Sequence, residues 1–228
     1  MTGERTIVII GGGASGVLLA AQLLKVENPA LRVAIVEKTG VFGRGLAYST
    51  TLDEHLLNVG AHGMSAFPDE PDHFRAWLGT RGIAIADDSL YFAPRRLYGD
   101  YLGEIAADLA AREPERLRLV RADAVSVSLH AAGVAVRLAD GTTIEADAAV
   151  LAVGHDSEPA GIATHAVKPG APGDTPLATE APVLILGSGL SMIDTWLSLK
   201  ARGHRGPVTV LSRRGVMSRA HLGDKPAP

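Results

Sequence analysis

A glycine-rich turn between an apolar segment and a helix-forming segment constrains the fold of this chain more than any other feature. Gly11, Gly13 and Gly16 match the pattern G-x-G-x-x-G, directly after the apolar run at residues 6–10. The run is mostly β-branched, as buried strands prefer, whereas each glycine would cost a helix about 1 kcal/mol relative to alanine. Residues 6–24 contain no charge, yet they predict a strand, a turn and a helix and not a membrane span.

A glycine pattern in this position indicates that the turn binds a dinucleotide. The first glycine permits a tight turn, the second lets backbone amides approach a pyrophosphate, and the third lets the helix pack closely on the strand. Anions are attracted to the start of the helix by its dipole and its free amides. The candidate contacts of this first turn are Gly11, Gly13, Ala14, Ser15 and Gly16.

A carboxylate at the end of the next predicted strand indicates which dinucleotide binds. Glu37 ends a strand at residues 32–37 and follows Gly16 by 21 residues. It can accept hydrogen bonds from ribose hydroxyls and would repel a 2′-phosphate, so the site suits FAD or NAD and not NADP. Lys38 is a further candidate contact. Two alternatives stay open: the glycines only pack a helix on a sheet and Glu37 is a surface acid, or an ordinary dehydrogenase holds NAD here.

The same order of elements recurs late in the sequence. An apolar run at residues 183–186 leads into Gly187 and Gly189, and a predicted helix follows. Met192 stands in the place of the third glycine, where a bulky residue is expected to push the helix away from the strand. The pattern predicts a second dinucleotide site with a weaker match. Its candidate contacts are Gly187, Gly189, Leu190 and Ser191.

Basic residues after the last predicted strand favour NADP at this second site. The strand at residues 208–211 is followed by Ser212, Arg213 and Arg214, where a site for unphosphorylated NAD would have an acid. Arginine can pair bidentately with a 2′-phosphate. We therefore expect these three residues to bind NADPH; the alternative is that the two arginines form a solvated charge pair at a strand end.

The region between the two turns changes from helical to alternating hydrophobic spacing. A helix is predicted at about residues 97–111, then a meander of strands with a turn at Asp140-Gly141. The continuous apolar run at residues 148–153 predicts a fully buried strand that ends at Gly154. Residues 154–182 are rich in proline and glycine and predict a domain junction.

These elements predict an α/β fold made of two units. Residues 1–180 would form the N-terminal portion of a Rossmann-like FAD-binding domain, with a parallel sheet plus a β-meander. Residues 181–228 would form an incomplete NADP-binding βαβ unit, the start of a second Rossmann-like domain. At 228 residues the chain can bury a sizeable core without a covalent staple.

Composition excludes several classes of function. The chain has no cysteine, which removes dithiol chemistry, thiolate nucleophiles and cysteine-ligated metals, and its histidines show no metal-ligand spacing. The formal net charge is only -3 without long runs of one sign, so we expect a small-molecule substrate and neither a nucleic-acid nor a membrane partner. The start of the sequence is unlike a signal peptide, so a cytoplasmic location is expected.

Several longer stretches give the chain a family resemblance. With its two glycine turns it resembles flavoproteins with two dinucleotide-binding domains, and more specifically the FAD/NAD(P)-binding family that includes an FAD-dependent urate hydroxylase. Flavin-containing monooxygenases are similar at a greater distance. The stretches are residues 42–48, 55–59, 64–68, 94–102 and 212–215, with His221.

The resemblance implies an activity and further site residues. NADPH would reduce FAD, and the reduced flavin would use oxygen to hydroxylate a small molecule, with the flavin supplying the chemistry. Asn58 would contact the reactive ring edge and is the candidate catalytic residue, although an asparagine that caps a turn is the plain alternative. Arg44, Gly45 and Gly154 are candidate cofactor contacts, and a solvated loop arginine is the alternative for Arg44.

Two other functions stay open at this point. A flavin reductase that never uses oxygen would share all of these motifs. The other function is FAD binding without activity, because residues 181–228 are too few for a complete nucleotide-binding domain. The apolar strands at 183–186 and 208–211 would then have bare edges, which a missing C-terminal segment or a second copy of the chain would cover.

Overall fold

The computed structural model describes residues 3–83, 85, 91–154 and 177–218. Residues 155–176 of the predicted junction at 154–182, and His221, lie outside these ranges. The strands are β1 (Arg5–Ile10), β2 (Leu31–Glu37), β3 (Leu117–Arg121), β4 (Ala124–His130), β5 (Gly133–Leu138), β6 (Thr143–Ala146), β7 (Ala148–Leu151), β8 (Val183–Leu186) and β9 (Val208–Leu211). The α-helices are α1 (Ala14–Lys25), α2 (His73–Thr80), α3 (Arg95–Arg112) and α4 (Leu190–Ala201), and Ala61–Gly63 forms one 3₁₀ turn.

A parallel sheet with the strand order β3-β2-β1-β7 forms the centre of the first unit. Its strands alternate between two cores, as the two-residue period of a strand requires. Ile9 and Ile35 face the core under α1 and α3, whereas Val8 and Val36 face the core under the antiparallel sheet β4-β5-β6. The expected α/β fold with a parallel sheet and a β-meander is therefore confirmed.

The second unit repeats the first on a smaller scale. Strands β8 and β9 pair in parallel, with Val183 opposite Val208 and Leu186 opposite Leu211, and α4 connects them. The strand, turn, helix and strand all occur where the sequence predicts them. Within the described ranges no helix has the length and apolar character needed to cross a bilayer.

The expectation of a fully buried strand at 148–153 is wrong. Strand β7 spans only Ala148–Leu151, and the side chains of Leu151 and Val153 are 68% and 63% exposed. The reason is its position, since in the described part of the chain β7 pairs with β1 alone and forms the edge of the sheet. Apolar composition does not distinguish a central strand from one with an exposed edge.

Candidate functional site

The first glycine turn has no room for side chains. Gly11 has a positive φ of 107°, and its amide donates to the carbonyl of Val36 at 2.8 Å. A Cβ added at Gly11 would lie 2.3 Å from the carbonyl oxygen of Ala152, and one at Gly16 would lie 2.0 Å from that of Gly11. Both distances are too short for a real contact, so the turn requires glycine at both positions.

The helix that follows presents free backbone donors. Gly13 is the N-cap of α1 and no side chain caps the helix, so its first amides, including those of Ala14 and Ser15, lack intrahelical acceptors. No acidic side chain lies in the first turn of α1. The start of α1 therefore offers a cradle of backbone amides and the positive end of a helix dipole to an anion such as a pyrophosphate.

Glu37 lies beside this turn at the end of β2. Its Oε2 accepts a hydrogen bond from the Gly12 amide at 2.8 Å, and its Oε1 accepts from the Thr39 amide and hydroxyl, both at 2.9 Å. Burial raises the pKa of Glu37, but the hydrogen bonds from Thr39 and Gly12 and the charge of Lys38 lower it more, so the pKa lies below its ordinary value. Glu37 is therefore an anionic acceptor at neutral pH. Lys38 itself is exposed.

A second loop packs against the glycine turn. The Gly43 amide donates to the carbonyl of Gly12 at 2.7 Å, and a Cβ on Gly13 would lie only 3.2 Å from the Cα of Gly45. The Arg44 guanidinium pairs with Asp100 on α3, each side chain being 33% exposed. The predicted contact of Arg44 with a cofactor stays a prediction, because in the structure its charge is already neutralised by Asp100.

Gly154 lies just beyond β7, whose end runs beside the first turn. The Ala152 amide donates to the carbonyl of Ile10 at 2.8 Å. Gly154, two residues further along, has a φ of 68° and is exposed. The structure thus brings the predicted contacts of the first site to one edge of the sheet, where the parallel strands β1, β2 and β7 end.

The second glycine turn reproduces the backbone of the first. Gly187 has a φ of 104° against 107° for Gly11, and its amide donates to the carbonyl of Leu211 at 2.8 Å. Gly189 caps α4 with φ and ψ of -79° and -170°, against -70° and -170° for Gly13. No side chain caps α4 either, so Leu190 and Ser191 present free amides.

Met192 is accommodated where the first turn requires a third glycine. Its side chain is 5% exposed, and within the described residues a Cβ on Gly187 or Gly189 would meet nothing within 4 Å. Met192 is thus buried while the turn keeps the backbone conformation of the first. The expected wider spacing of helix and strand stays a prediction.

The three residues after β9 lie near the second turn. The Ser212 hydroxyl accepts a hydrogen bond from the Gly215 amide at 3.0 Å, and Ser188 in the turn donates to the carbonyl of Val216 at 2.6 Å. Arg213 and Arg214 are exposed, and neither guanidinium has an ion-pair or hydrogen-bond partner among the described residues. They are therefore available to an anionic group.

A cavity of about 270 Å³ lies between the two units. One wall comes from the first unit, including Tyr48, Leu57, Asn58 and Met64, and the other from the start of α4, including Leu190, Ser191 and Asp194. The structure therefore places the candidate catalytic Asn58 and two predicted contacts of the second turn around a single space.

Residues that sequence reasoning missed join the two units beside this cavity. Arg95 Nη1 lies 2.6 Å from Asp194 Oδ2, and His55 Nε2 lies 3.0 Å from the backbone oxygen of Asp194. His55 is 7% exposed. His55 and Arg95 lie in the stretches 55–59 and 94–102 that carry the family resemblance, without a role assigned to them, and Asp194 is the single charged residue at positions 190–199 of α4.

The described part of the chain brings together no group of three or more acidic, histidine or cysteine side chains able to hold a metal ion. A parallel sheet with two uncapped glycine turns and an acid at the end of β2 defines a dinucleotide-binding protein. A family model described as FAD-NAD(P)-binding matches residues 8–156, about two-thirds of the chain. The chain belongs to this FAD-NAD(P)-binding family. FAD and NAD(P)H are thereby confirmed as its class of cofactors.

Solved structures share the fold. A flavin-containing monooxygenase from Stenotrophomonas maltophilia has a TM-score of 0.59 at 21% identity, over 92% of this chain and 58% of that chain. The bacillithiol disulfide reductase Bdr from Staphylococcus aureus has 0.60 at 18% identity, over 95% and 59%. OTEMO, solved with FAD and NADP, has 0.60 at 14% identity, over 92% and 39%.

This chain thus spans at most about three-fifths of the length of those proteins. At these identities the similarity shows the fold alone. A search of curated proteins found no match, and the narrower resemblance to the urate hydroxylase family stays a prediction.

Proposed function

We propose that this chain is the cofactor-binding part of an oxidoreductase that takes electrons from NADPH through FAD and hydroxylates a small molecule. The observation on which this depends is the pair of glycine turns with the same backbone conformation, together with a cavity lined by Asn58 and by the start of α4 beside the second turn. Two dinucleotides held by such turns would direct their reactive rings toward a shared space.

FAD is assigned to the first turn. A carboxylate at the end of β2 suits the unphosphorylated adenosine ribose of FAD and is unfavourable for NADP. The low pKa of Glu37 supports this assignment, because the group accepts hydrogen bonds as an anion at neutral pH. Its Oε1 already accepts two hydrogen bonds and its Oε2 only one, so Oε2 can still accept a hydrogen bond from a ribose hydroxyl.

NADPH is assigned to the second turn. Two exposed arginines follow β9, at the place where NADP sites bind the 2′-phosphate. OTEMO, which shares the fold, was solved with both FAD and NADP. The unit boundary near residue 180 and the binding roles of Ser212, Arg213 and Arg214 are part of this proposal.

The protein groups at the cavity would bind and orient the cofactor rings and the substrate, and would exclude water. When bound, FAD and NADPH supply the redox chemistry: NADPH, a proton, O₂ and the substrate yield NADP⁺, water and the hydroxylated substrate. Tyr48, Leu57 and Met64 give the cavity apolar surface that excludes water. Asn58 provides an amide that can orient a ring or a substrate within it.

A partner surface is also part of the proposal. Leu184, Leu186 and Leu211 on the small sheet are 60%, 54% and 59% exposed, which is unfavourable in water. This supports the expectation that a further segment or a second copy of the chain covers these strands. The cytoplasmic location and the expected lack of nucleic-acid and membrane partners stay predictions.

Steady-state measurement with the purified protein tests the hydroxylating activity. FAD-loaded protein is mixed with NADPH under air while NADPH absorbance, oxygen uptake and hydrogen peroxide are followed together. Equal NADPH and oxygen consumption, with peroxide falling when a small-molecule substrate is added, is the expected result. Flavin reduction by NADPH without any oxygen uptake would instead show the non-oxygenating reductase, and no flavin reduction would show a binding protein without activity.

A further inference from the structure

The contact between the two units depends on a few polar groups. The Asp194 carboxylate on α4 accepts a hydrogen bond from Arg95 Nη1 at 2.6 Å. The Asp194 backbone oxygen lies 3.0 Å from His55 Nε2. The Ser198 hydroxyl, one helical turn later, lies 3.3 Å from the same His55 nitrogen. The Arg95 and Asp194 side chains are only 19% and 23% exposed, so water screens this pair less than the surface pairs.

Arg95 contacts three different groups with one guanidinium. Besides Asp194, its Nε donates to the carbonyl of Leu56 at 2.8 Å, and its Nη2 lies 3.4 Å from Asn58 Oδ1. The guanidinium is planar and presents its donors in a fixed fork. Arg95 therefore fixes the backbone before Asn58, the Asn58 side chain and α4 relative to one another.

This arrangement determines which way the Asn58 amide is turned. Arginine has donors and no acceptor, so the group of Asn58 that faces Arg95 must be its oxygen. The Nδ2 amino group is then left to donate to whatever occupies the cavity that Asn58 lines. A ligand that displaces water from this amino group is therefore favoured if it offers a hydrogen-bond acceptor, such as a ring or amide carbonyl oxygen.

We propose that Arg95 and Asp194 are positioning residues that orient Asn58 as a donor to a carbonyl acceptor and hold the start of α4 at the same cavity. This inference rests on the proposed function, in which the cavity receives the reactive rings. Among the described residues the pair contacts Asn58 and α4 and makes no hydrogen bond to the FAD-binding turn. Its loss therefore slows electron transfer from NADPH while FAD affinity is retained.

Anaerobic stopped-flow reduction of the FAD-loaded protein by NADPH tests this inference. Asp194→Asn removes the charge and keeps the shape, and Asn58→Asp replaces the amino donor by an acceptor. The matched control is Asp53→Asn, which removes the ion pair between Arg96 and Asp53. The Arg96 side chain is 37% exposed and that of Asp53 is 62% exposed. The limiting rate constant at saturating NADPH, the NADPH dissociation constant and the FAD dissociation constant are measured for each.

The limiting rate is expected to fall about ten-fold or more in Asp194→Asn and in Asn58→Asp, with FAD affinity within about two-fold of wild type. Asp53→Asn is expected to match wild type. Combining Arg95→Lys with Asp194→Asn should cost less than the two separate losses together, since both break one interaction.

Two other outcomes distinguish failure of this inference from failure of the proposed function. Limiting rates in Asp194→Asn and Asn58→Asp equal to that of Asp53→Asn would overturn the inference and leave the proposed function intact. A wild-type chain that binds no FAD would overturn the proposed function itself. If Asp194→Asn does not fold, Asn58→Asp decides together with Asn58→Ala, because Asn58 is exposed, both variants keep Asp194, and only Asn58→Asp adds a carboxylate beside Arg95.

Discussion

Replacement of Gly16 by alanine should damage both stability and FAD binding. The new Cβ would lie 2.0 Å from the Gly11 oxygen, whereas Cβ contacts under 3.0 Å essentially never occur. The start of α1 must therefore move by at least about 1 Å in a region that is packed as densely as a crystal. Overpacking of this kind costs about 1–3 kcal/mol, which exceeds the gain of about 1 kcal/mol from replacing glycine in a helix.

The matched control is Gly79→Ala in α2, where an added Cβ meets nothing within 4 Å. Urea unfolding and flavin fluorescence titration are measured for both variants. We expect Gly16→Ala to lower the free energy of unfolding by up to about 2 kcal/mol and to weaken FAD binding at least about ten-fold. Gly79→Ala should gain up to about 1 kcal/mol without a change in FAD affinity. Equal behaviour of the two variants would refute the argument that the turn needs a glycine at Gly16.

Three further predictions follow from the structure. Glu37→Gln should weaken FAD binding. Because the folded pKa of Glu37 is lowered, the stability that its carboxylate contributes is present at neutral pH and is lost as the pH falls through about 4.5 and below. The free energy of unfolding of the variant should therefore depend less on pH in this range than that of the wild type. Arg213→Ala with Arg214→Ala should lower the preference for NADPH over NADH about ten-fold or more, measured by anaerobic flavin reduction, whereas Arg202→Ala at the far end of α4 should not. Tyr101→Phe should lower the free energy of unfolding in urea by about 1–3 kcal/mol, since it removes a hydroxyl that accepts from Ala66 N at 3.1 Å and lies 2.8 Å from His73 Nδ1. An unchanged value would show that these two hydrogen bonds together add nothing.

The sequence was sufficient to predict the local elements because their signals are local. Apolar β-branched runs followed by glycines specified β1, β8 and both turns, and Asp140-Gly141 specified the turn of the meander. Each of these signals depends on backbone preferences within about ten residues. The exposure of Leu151 depends instead on which strands lie beside β7, and residue order does not state that.

The cavity could be predicted only in part. Asn58 was singled out by resemblance, but its partners come from distant parts of the sequence: Arg95 and Asp194 are 99 positions apart. Arg44 is a further case: it is a candidate cofactor contact, and the structure pairs it with Asp100 on α3, a partner that the sequence did not indicate. Side-chain pairing across elements requires the three-dimensional arrangement, because periodicity reports which face a residue occupies and not its neighbour.

A visible absorption spectrum tests most directly the claim that the chain binds FAD and takes electrons from NADPH. The purified chain is reconstituted with FAD, freed of excess cofactor and then mixed with NADPH without oxygen. We expect one FAD per chain, with its visible absorbance lost on mixing with NADPH and lost more slowly with NADH. A folded chain that retains no flavin would contradict it.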